Sequence, residues 1–479
     1  MNTELTLADY ASLLPLLILL GAALLLLLLE SFAETVAKKY SSIITLAAIA
    51  AALFAAFAVP VSNHPLLTSW LRFDPLSHFF TVFFLVVGFG ATLLSNSFFK
   101  QFDATHGEYY FLLLSALLGL ILIGDSADFL TIFLGLETLS ISLYVLCGYM
   151  KGWKLSHEAA IKYFLTGSIA AAFLLYGIAL VYGAIGTTRL DVLLDGYRGL
   201  TVASDKNLFL GGIAMITIGL AFKAAIVPFH TWAPDVYEGA PTPVTAFMAV
   251  GTKAGAFAAF IRIFLDALPK FDPLWSEGIA VLAILTLVYA NFVALRQVEM
   301  KRFFAYSGIS HAGFMLIPLA AGTPDALQAI EFYLVVYALA TLGAFAVVAY
   351  LEGDRRAVLI RDLKGLFRRW PILAGLLALC LLTLAGIPPT AGFFAKFFIF
   401  KVAIESGYYV LAIVGLLTAI LSAYYYLRII SVMFSEAPAE VGVPISSRSA
   451  IIVGAFSFAA ILVLSFYPAP FLSLLAIGQ

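Results

Sequence analysis

Residues 219–255 read "GLAFKAAIVPFHTWAPDVYEGAPTPVTAFMAVGTKAG", and the fold turns on this stretch. It opens and closes in apolar runs fit for lipid, yet each run carries a lysine, Lys223 and Lys253. Between them stand Pro228, Pro234, Pro241 and Pro243. Proline removes an intrahelical donor and its ring clashes with the preceding turn, so a helix entering here must break. At membrane depth a broken helix is tolerated only where protein or water satisfies the freed backbone. An interior helix lining a polar path is therefore expected.

The rest of the chain supplies the membrane. Of its 479 residues 63% are hydrophobic and 11% charged, against roughly a quarter charged in soluble domains. An all-α polytopic membrane protein is expected. The net charge of −1 lacks the basic excess that phosphate binding needs, which excludes a nucleic-acid surface. The two cysteines, Cys147 and Cys380, lie in apolar segments far from any His/Cys cluster, so they read as small core residues, with neither disulfide nor metal site. The first residues, "MNTELTLADY", lack the basic start of a cleavable signal, and the first apolar run reads as a retained helix.

A crossing takes about 20 mostly apolar residues. Fourteen segments meet that length: 10–32, 41–61, 76–98, 109–125, 127–149, 157–184, 207–230, 241–266, 275–296, 301–321, 327–352, 370–400, 409–434 and 451–476. Alternate loops hold Lys38, Lys39, Lys100, Lys151, Lys154, Arg296, Lys301, Arg302, Arg355, Arg356, Arg361, Lys364, Arg368, Arg369 and Arg448, fifteen cations. The opposite loops hold six, Arg72, Arg189, Arg198, Lys206, Lys270 and Lys401. By the positive-inside rule the first set is cytoplasmic and both termini face outward.

The twelfth segment is interrupted as the seventh is, by "GIPPTAGFFAKFF" at 386–398. The two breaks lie five segments apart, which suggests two five-helix units, helices 4–8 (109–266) and 9–13 (275–434). An odd number of helices per unit would invert the second relative to the first. Helices 1–3 (1–100) precede these units and one helix (451–476) follows them, all in a single membrane domain. No loop is long enough for a soluble domain, and no phosphate-cradling or dinucleotide motif follows a strand.

Lys223, Lys253 and Lys396 lie within apolar segments, as does Glu137 in "FLTIFLGLETLSISLYVL" at 129–146. At 1.5 Å per residue Glu137 and Lys253 fall about 13 and 15 Å beyond Asp128 and Pro243, near the midplane. A charge at that depth costs roughly 2.5–3.5 kcal/mol. Burial disfavours an ammonium and a nearby carboxylate favours it, so a lysine whose carboxylate neighbour can move is a switchable proton site. Glu137 and Lys223 are the natural pair, the alternative being a static ion pair that fixes packing. No spare intramembrane carboxylate is evident for Lys253 and Lys396, for which a hydrated or neutral lysine is expected. His311, in "YSGISHAGFMLIPL" at 306–319, suits a proton relay or a satisfied core position. Lys162 is a candidate for the cytoplasmic mouth of a path or for snorkelling, Arg262 and Arg428 for boundary anchoring or packing. His230 stands beside the first break, as part of an entrance or as a cap on freed carbonyls.

Taken together, "FKAAIVPFHTWAPDVYEGAPTPVTAFMAVGTKAG", "MKRFFAYSGISHAGF" and "AGIPPTAGFFAKF", with Glu137 in the fifth helix, resemble the antiporter-like membrane subunits of respiratory complex I, NADH-quinone oxidoreductase. The form "PDVYEGAPTPV" resembles the subunit N family in particular. Single motifs are shared with multisubunit Na⁺/H⁺ antiporters and membrane-bound hydrogenases, which are the alternative reading. A sister complex I subunit has a glutamate where this chain has Lys396. The resemblance implies a proton channel of two inverted half-channels, with Glu137 and Lys223 in one, Lys396 in the other, and Lys253 linking them; His311 is the further proton-translocation candidate. It implies no cofactor or metal in this chain: NADH, FMN, iron-sulfur clusters and quinone would sit on partner subunits. The implied partners are sister antiporter-like subunits and a hydrophilic redox arm, in the bacterial inner membrane. A third reading, a structural spacer that moves no protons, also stays open.

Overall fold

The computed structural model describes residues 6–58, 62, 64–102, 104–269, 273–352, 357–436 and 448–477; Lys270, Arg355 and Arg356 lie outside the described residues. The longer helices are α1 (Leu14–Phe32), α2 (Glu34–Ala58), α3 (Pro75–Gln101), α4 (Gly107–Gly124), α5 (Phe129–Cys147), α6 (Lys154–Ile185), α7 (Ala203–Ala224), α8 (Trp232–Gly239), α9 (Thr242–Phe260), α10 (Pro273–Ala294), α11 (Met300–Ala321), α12 (Pro324–Glu352), α13 (Pro371–Ala385), α14 (Ala391–Glu405), α15 (Tyr409–Phe434), α16 (Arg448–Phe466) and α17 (Pro468–Ile477). Among the described residues β-pairing is confined to three isolated bridges.

Among the described residues thirteen helices are long and apolar enough to cross a membrane. The remaining expected crossing, the twelfth at 370–400, is divided into α13 and α14, 15 residues each. Residues such as Leu28, Phe54, Ile141, Ile169 and Ile420 are exposed apolar side chains on these helices, as lipid contact requires. By contrast the most apolar stretches of Thr242–Ala267 and Met300–Ala321 are wholly buried. A helix hydrophobic all round belongs inside.

Three boundaries differ from the sequence reading. Segment seven ends at Ala224 and not at 230, because Ala225 takes a left-handed φ of 57°, which costs a non-glycine residue about 1–2 kcal/mol. Segment eight is α-helical to Phe260 and then becomes a π-helix over Ile261–Ala267. The last segment, expected over 451–476, stops at Phe466 and restarts at Pro468 as α17. Lys301, counted among the loop cations, stands in the first turn of α11 and is 2% exposed.

The chain forms two compact units. The first comprises residues 1–92, 102–223 and 251–271. Its helices cross through small residues: a Cβ on Gly119 would lie 2.5 Å from the Gly135 carbonyl oxygen, and one on Gly177 2.6 Å from that of Gly212. Such backbone contact is how helices associate where lipid removes a hydrophobic drive. The second unit comprises 93–101, 224–250 and 272–479, and contains both helix breaks. At the first, the Val227 N–H donates to Thr286 Oγ1 at 3.1 Å; at the second, the Ala391 N–H donates to Ser465 Oγ at 2.8 Å. The freed backbone is thus satisfied by hydroxyls from other helices, as membrane depth demands. Gly386, with φ 77°, lets α13 end by turning its N–H back to the carbonyls of Leu382 and Thr383.

Candidate functional site: buried lysines beside the helix breaks

In the first unit Lys223 occupies the last turn of α7, 4% exposed. Its Nζ has no hydrogen-bond partner among the described residues. It lies over the rings of Tyr163 at 5.2 Å, Tyr144 at 5.4 Å and Phe222 at 5.6 Å. The negative faces of aromatic rings attract an ammonium, so the cage holds the cation without fixing it. Glu137, on α5 two turns before Tyr144, is half-buried. Its charge and that of Lys223 feel each other, but the two make no direct ion pair within 4 Å. The static pair considered above is therefore not what this structure contains. Lys253, on α9, is 1% exposed.

The second unit holds Lys396 on α14. Its Nζ donates to the Ala385 carbonyl at 2.7 Å and to Ser422 Oγ at 3.2 Å, and lies 4.8 Å from the Phe314 ring centre. Ala385 is the last residue of α13, where helical dipoles leave about half a negative charge. His311, on α11, engages Tyr333 through Nδ1 at 2.7 Å and Tyr426 through Nε2 at 3.1 Å. Tyr426 in turn meets Ser307 Oγ at 2.5 Å. Lys396, His311 and Tyr333 share one cavity of about 10 Å³, also lined by Tyr337 and Thr383. That is room for about one water. The structure thus brings His311 and Lys396 to a common polar chamber, a hydroxyl–imidazole chain running away from it.

Two buried carboxylates escape the sequence reading. Glu331 and Glu352 of α12 are 4% and 1% exposed. Glu331 Oε2 has no hydrogen-bond partner among the described residues. Glu352 Oε1 stands 3.6 Å from Lys301 Nζ and its Oε2 accepts from Thr242 Oγ1. Lys301 also donates to the Ala240 carbonyl at 3.1 Å. The pair therefore joins the C-terminal cap of α8 to the first residue of α9. Glu331 stands one turn inside an apolar run, a signal that could have found it, whereas Glu352 closes its helix and passes for a boundary charge.

The peripheral candidates separate. Lys162 forms an exposed pair with Glu158 at 2.7 Å. Arg428 donates to the Leu295 carbonyl at 3.0 Å. Arg262, 1% exposed, grips Asp74 with two N–H donors, a packing role. His230 is 5% exposed, its ring 4.7 Å from that of Tyr289.

Against known proteins, residues 126–422 match the family model described as NADH:quinone oxidoreductase/Mrp antiporter, TM. The chain is 62% identical over 477 residues to NADH-quinone oxidoreductase subunit N of Protochlamydia amoebophila, covering 99% of each. Among solved structures it is similar to a chain of respiratory complex I from Thermus thermophilus with bound aureothin, at 34% identity and a TM-score of 0.81, covering 96% of this chain and 98% of that one. It is also similar to a chain of an archaeal membrane-bound sulfane sulfur reductase, at 25% identity and a TM-score of 0.82, covering 98% and 97%. The full-length identity to subunit N speaks against the antiporter alternative. With broken helices, caged lysines and a relative matched end to end, this multi-pass membrane chain belongs to the NADH-quinone oxidoreductase subunit N family, the antiporter-like membrane subunits of respiratory complex I.

Proposed function

We propose that the chain carries protons across the bacterial inner membrane through Glu137, Lys223, Lys253, His311 and Lys396, driven by redox chemistry on partner subunits. The supporting observation is that the ammonium groups of Lys223 and Lys396 are buried beside helix ends without a carboxylate in direct contact. Each charge at such depth costs roughly 2.5–3.5 kcal/mol on the lenient scale. An aromatic cage or a backbone carbonyl offsets part of that and leaves the proton free to move, where a locked ion pair would hold it.

In this reading Glu137 tunes Lys223, Lys253 passes the proton along the middle of the membrane, and Lys396 hands it to the His311–Tyr426 chain. Segments four to eight and nine to thirteen act as two inverted half-channels, with both termini on the outer side. Moving one charge against 100 mV takes about 2.3 kcal/mol. That energy comes from NADH oxidation and quinone reduction at FMN and iron-sulfur centres on a hydrophilic arm, transmitted through sister antiporter-like subunits.

The test is Lys223→Met in the assembled complex. Proton pumping and coupled quinone reduction should fall together. Normal pumping at normal expression would refute the role given to Lys223.

A further inference from the structure

The first unit contains a second cluster of charge that the proton path above does not use. Arg262 sits on the π-helical turn, and all five of its N–H donors are occupied. Nε donates to the Gly124 carbonyl at 3.1 Å; NH1 donates to Asp74 Oδ2 at 2.5 Å and Asp266 Oδ2 at 3.4 Å; NH2 donates to Asp74 Oδ1 and Ser77 Oγ, both at 2.7 Å. Arg72 adds a contact to Asp266. Two guanidinium groups thus serve Asp74 and Asp266.

Asp125, directly after Gly124, is left out. The residue is 6% exposed and its carboxyl accepts one bond, from Thr81 Oγ1 to Oδ1 at 3.3 Å. Oδ2 has no hydrogen-bond partner among the described residues. A buried carboxylate with a single long donor is costly, whereas a protonated carboxyl is less so. Asp125 also lines a cavity of about 90 Å³ together with Ser12, Asp74, Ser77, His78 and Thr81, polar and roomy enough for several waters. The titratable groups around it are Asp74 on the cap of α3, His78 within α3, and Arg262 and Asp266 on the π-turn, with Arg72 beyond Asp266.

We propose that Asp125 is a proton-holding acid at the floor of a water-filled vestibule, through which the first unit exchanges protons with the aqueous phase on the lysine- and arginine-poor face. A hydronium in the vestibule gives its proton to Oδ2 and leaves as water; release is the reverse. The use of that proton rests on the pump reading; its presence on Asp125 does not.

Desolvation at the end of α4 raises the Asp125 carboxyl to about 8, while Arg262 and the Thr81 hydroxyl oppose the rise. For Asp74 desolvation is outweighed by Arg262, which holds it at about 2. The neighbours should therefore differ in chemistry that needs a protonated carboxyl. Carbodiimides add across such a group, the O–H proton going to nitrogen and the carboxyl oxygen to the central carbon.

The assembled complex is treated with dicyclohexylcarbodiimide and with a water-soluble carbodiimide, and adducts are mapped by peptide mass spectrometry. Asp125 should be labelled by both, its adduct yield relative to an exposed carboxyl falling roughly tenfold between about pH 6 and pH 9, with Asp74 unlabelled. Separately, the Ser12→Cys variant should be alkylated by a membrane-impermeant thiol reagent from the lysine-poor face. Labelling equal at Asp74 and Asp125, no Asp125 adduct, or a thiol at position 12 that stays closed to the reagent would each overturn the proposal. Neither readout depends on pumping, so a failed Lys223→Met prediction leaves both intact.

Discussion

The Lys301–Glu352 pair offers the sharpest quantitative test. Both side chains are essentially inaccessible, at 2% and 0% exposure, with 3.6 Å between Nζ and Oε1. Removing one partner of a buried pair costs about 3–5 kcal/mol, because the other charge is left uncompensated. Their remaining contacts rank the two single variants. Glu352→Gln leaves Lys301 its bond to the Ala240 carbonyl, so a cost of about 3 kcal/mol is expected. Lys301→Met leaves Glu352 only the Thr242 hydroxyl, so the cost should approach about 5 kcal/mol. The double variant removes both charges, and pairs replaced by apolar or neutral groups are often near neutral. Its cost should fall below that of either single. The assay is equilibrium unfolding of the purified chain in mixed micelles by tryptophan fluorescence; at about 1.4 kcal/mol per decade the single variants shift the unfolding constant by about two to three and a half decades. Single costs that simply add in the double variant would show that the pair is not coupled and that the clamp across α8 and α9 does not exist.

Other predictions are simpler. Gly392→Ala should abolish assembly, since a Cβ there would sit 1.7 Å from the Thr383 carbonyl oxygen; complex yield on a native gel measures it. Tyr426→Phe removes the hydroxyl joining His311 to Ser307, and should slow pumping more than Tyr109→Phe, a control with no part in that chain; proton uptake in proteoliposomes compares them. Asp125 is raised in the folded state from 3.8 to about 8, so the folded chain binds the extra proton there. Its contribution to stability is full below about pH 4 and is lost as pH rises through 8. Thermal melts of Asp125→Asn should lack the fall that wild type shows between about pH 6 and pH 8.

The breaks are legible because Pro228 and the Pro388–Pro389 pair stand inside lipid-length apolar runs, and no continuous helix accommodates them. Their edges are not: the first comes three residues early, at Ala225, where a left-handed φ sets the turn. Lysine within an apolar helix announces Lys223, Lys253 and Lys396 by type alone. What surrounds them is hidden, because helices such as α11 are apolar on every side and periodicity then assigns no face. Tyr144, Tyr163, Tyr333 and Tyr426 consequently look like any other aromatic residue. Glu331 and Glu352 lie near the ends of a segment, where a charge passes for a boundary. Arg262 reads as packing, which its saturated donors agree with, but the carboxyl it leaves over at Asp125 emerges only once the donors are counted.

The end of α13 has one more consequence. The counter-charge that Lys396 meets at the Ala385 carbonyl belongs to aligned peptide dipoles, and no proton can neutralise it. A carboxylate partner would be switched off by the very species being moved. A helix terminus behaves instead as a built-in electrode of constant sign, equally strong whether the chamber is loaded or empty. Only displacement of α13 against α14 can change its pull on Lys396, so in the proposed path the control of a proton at this station is mechanical.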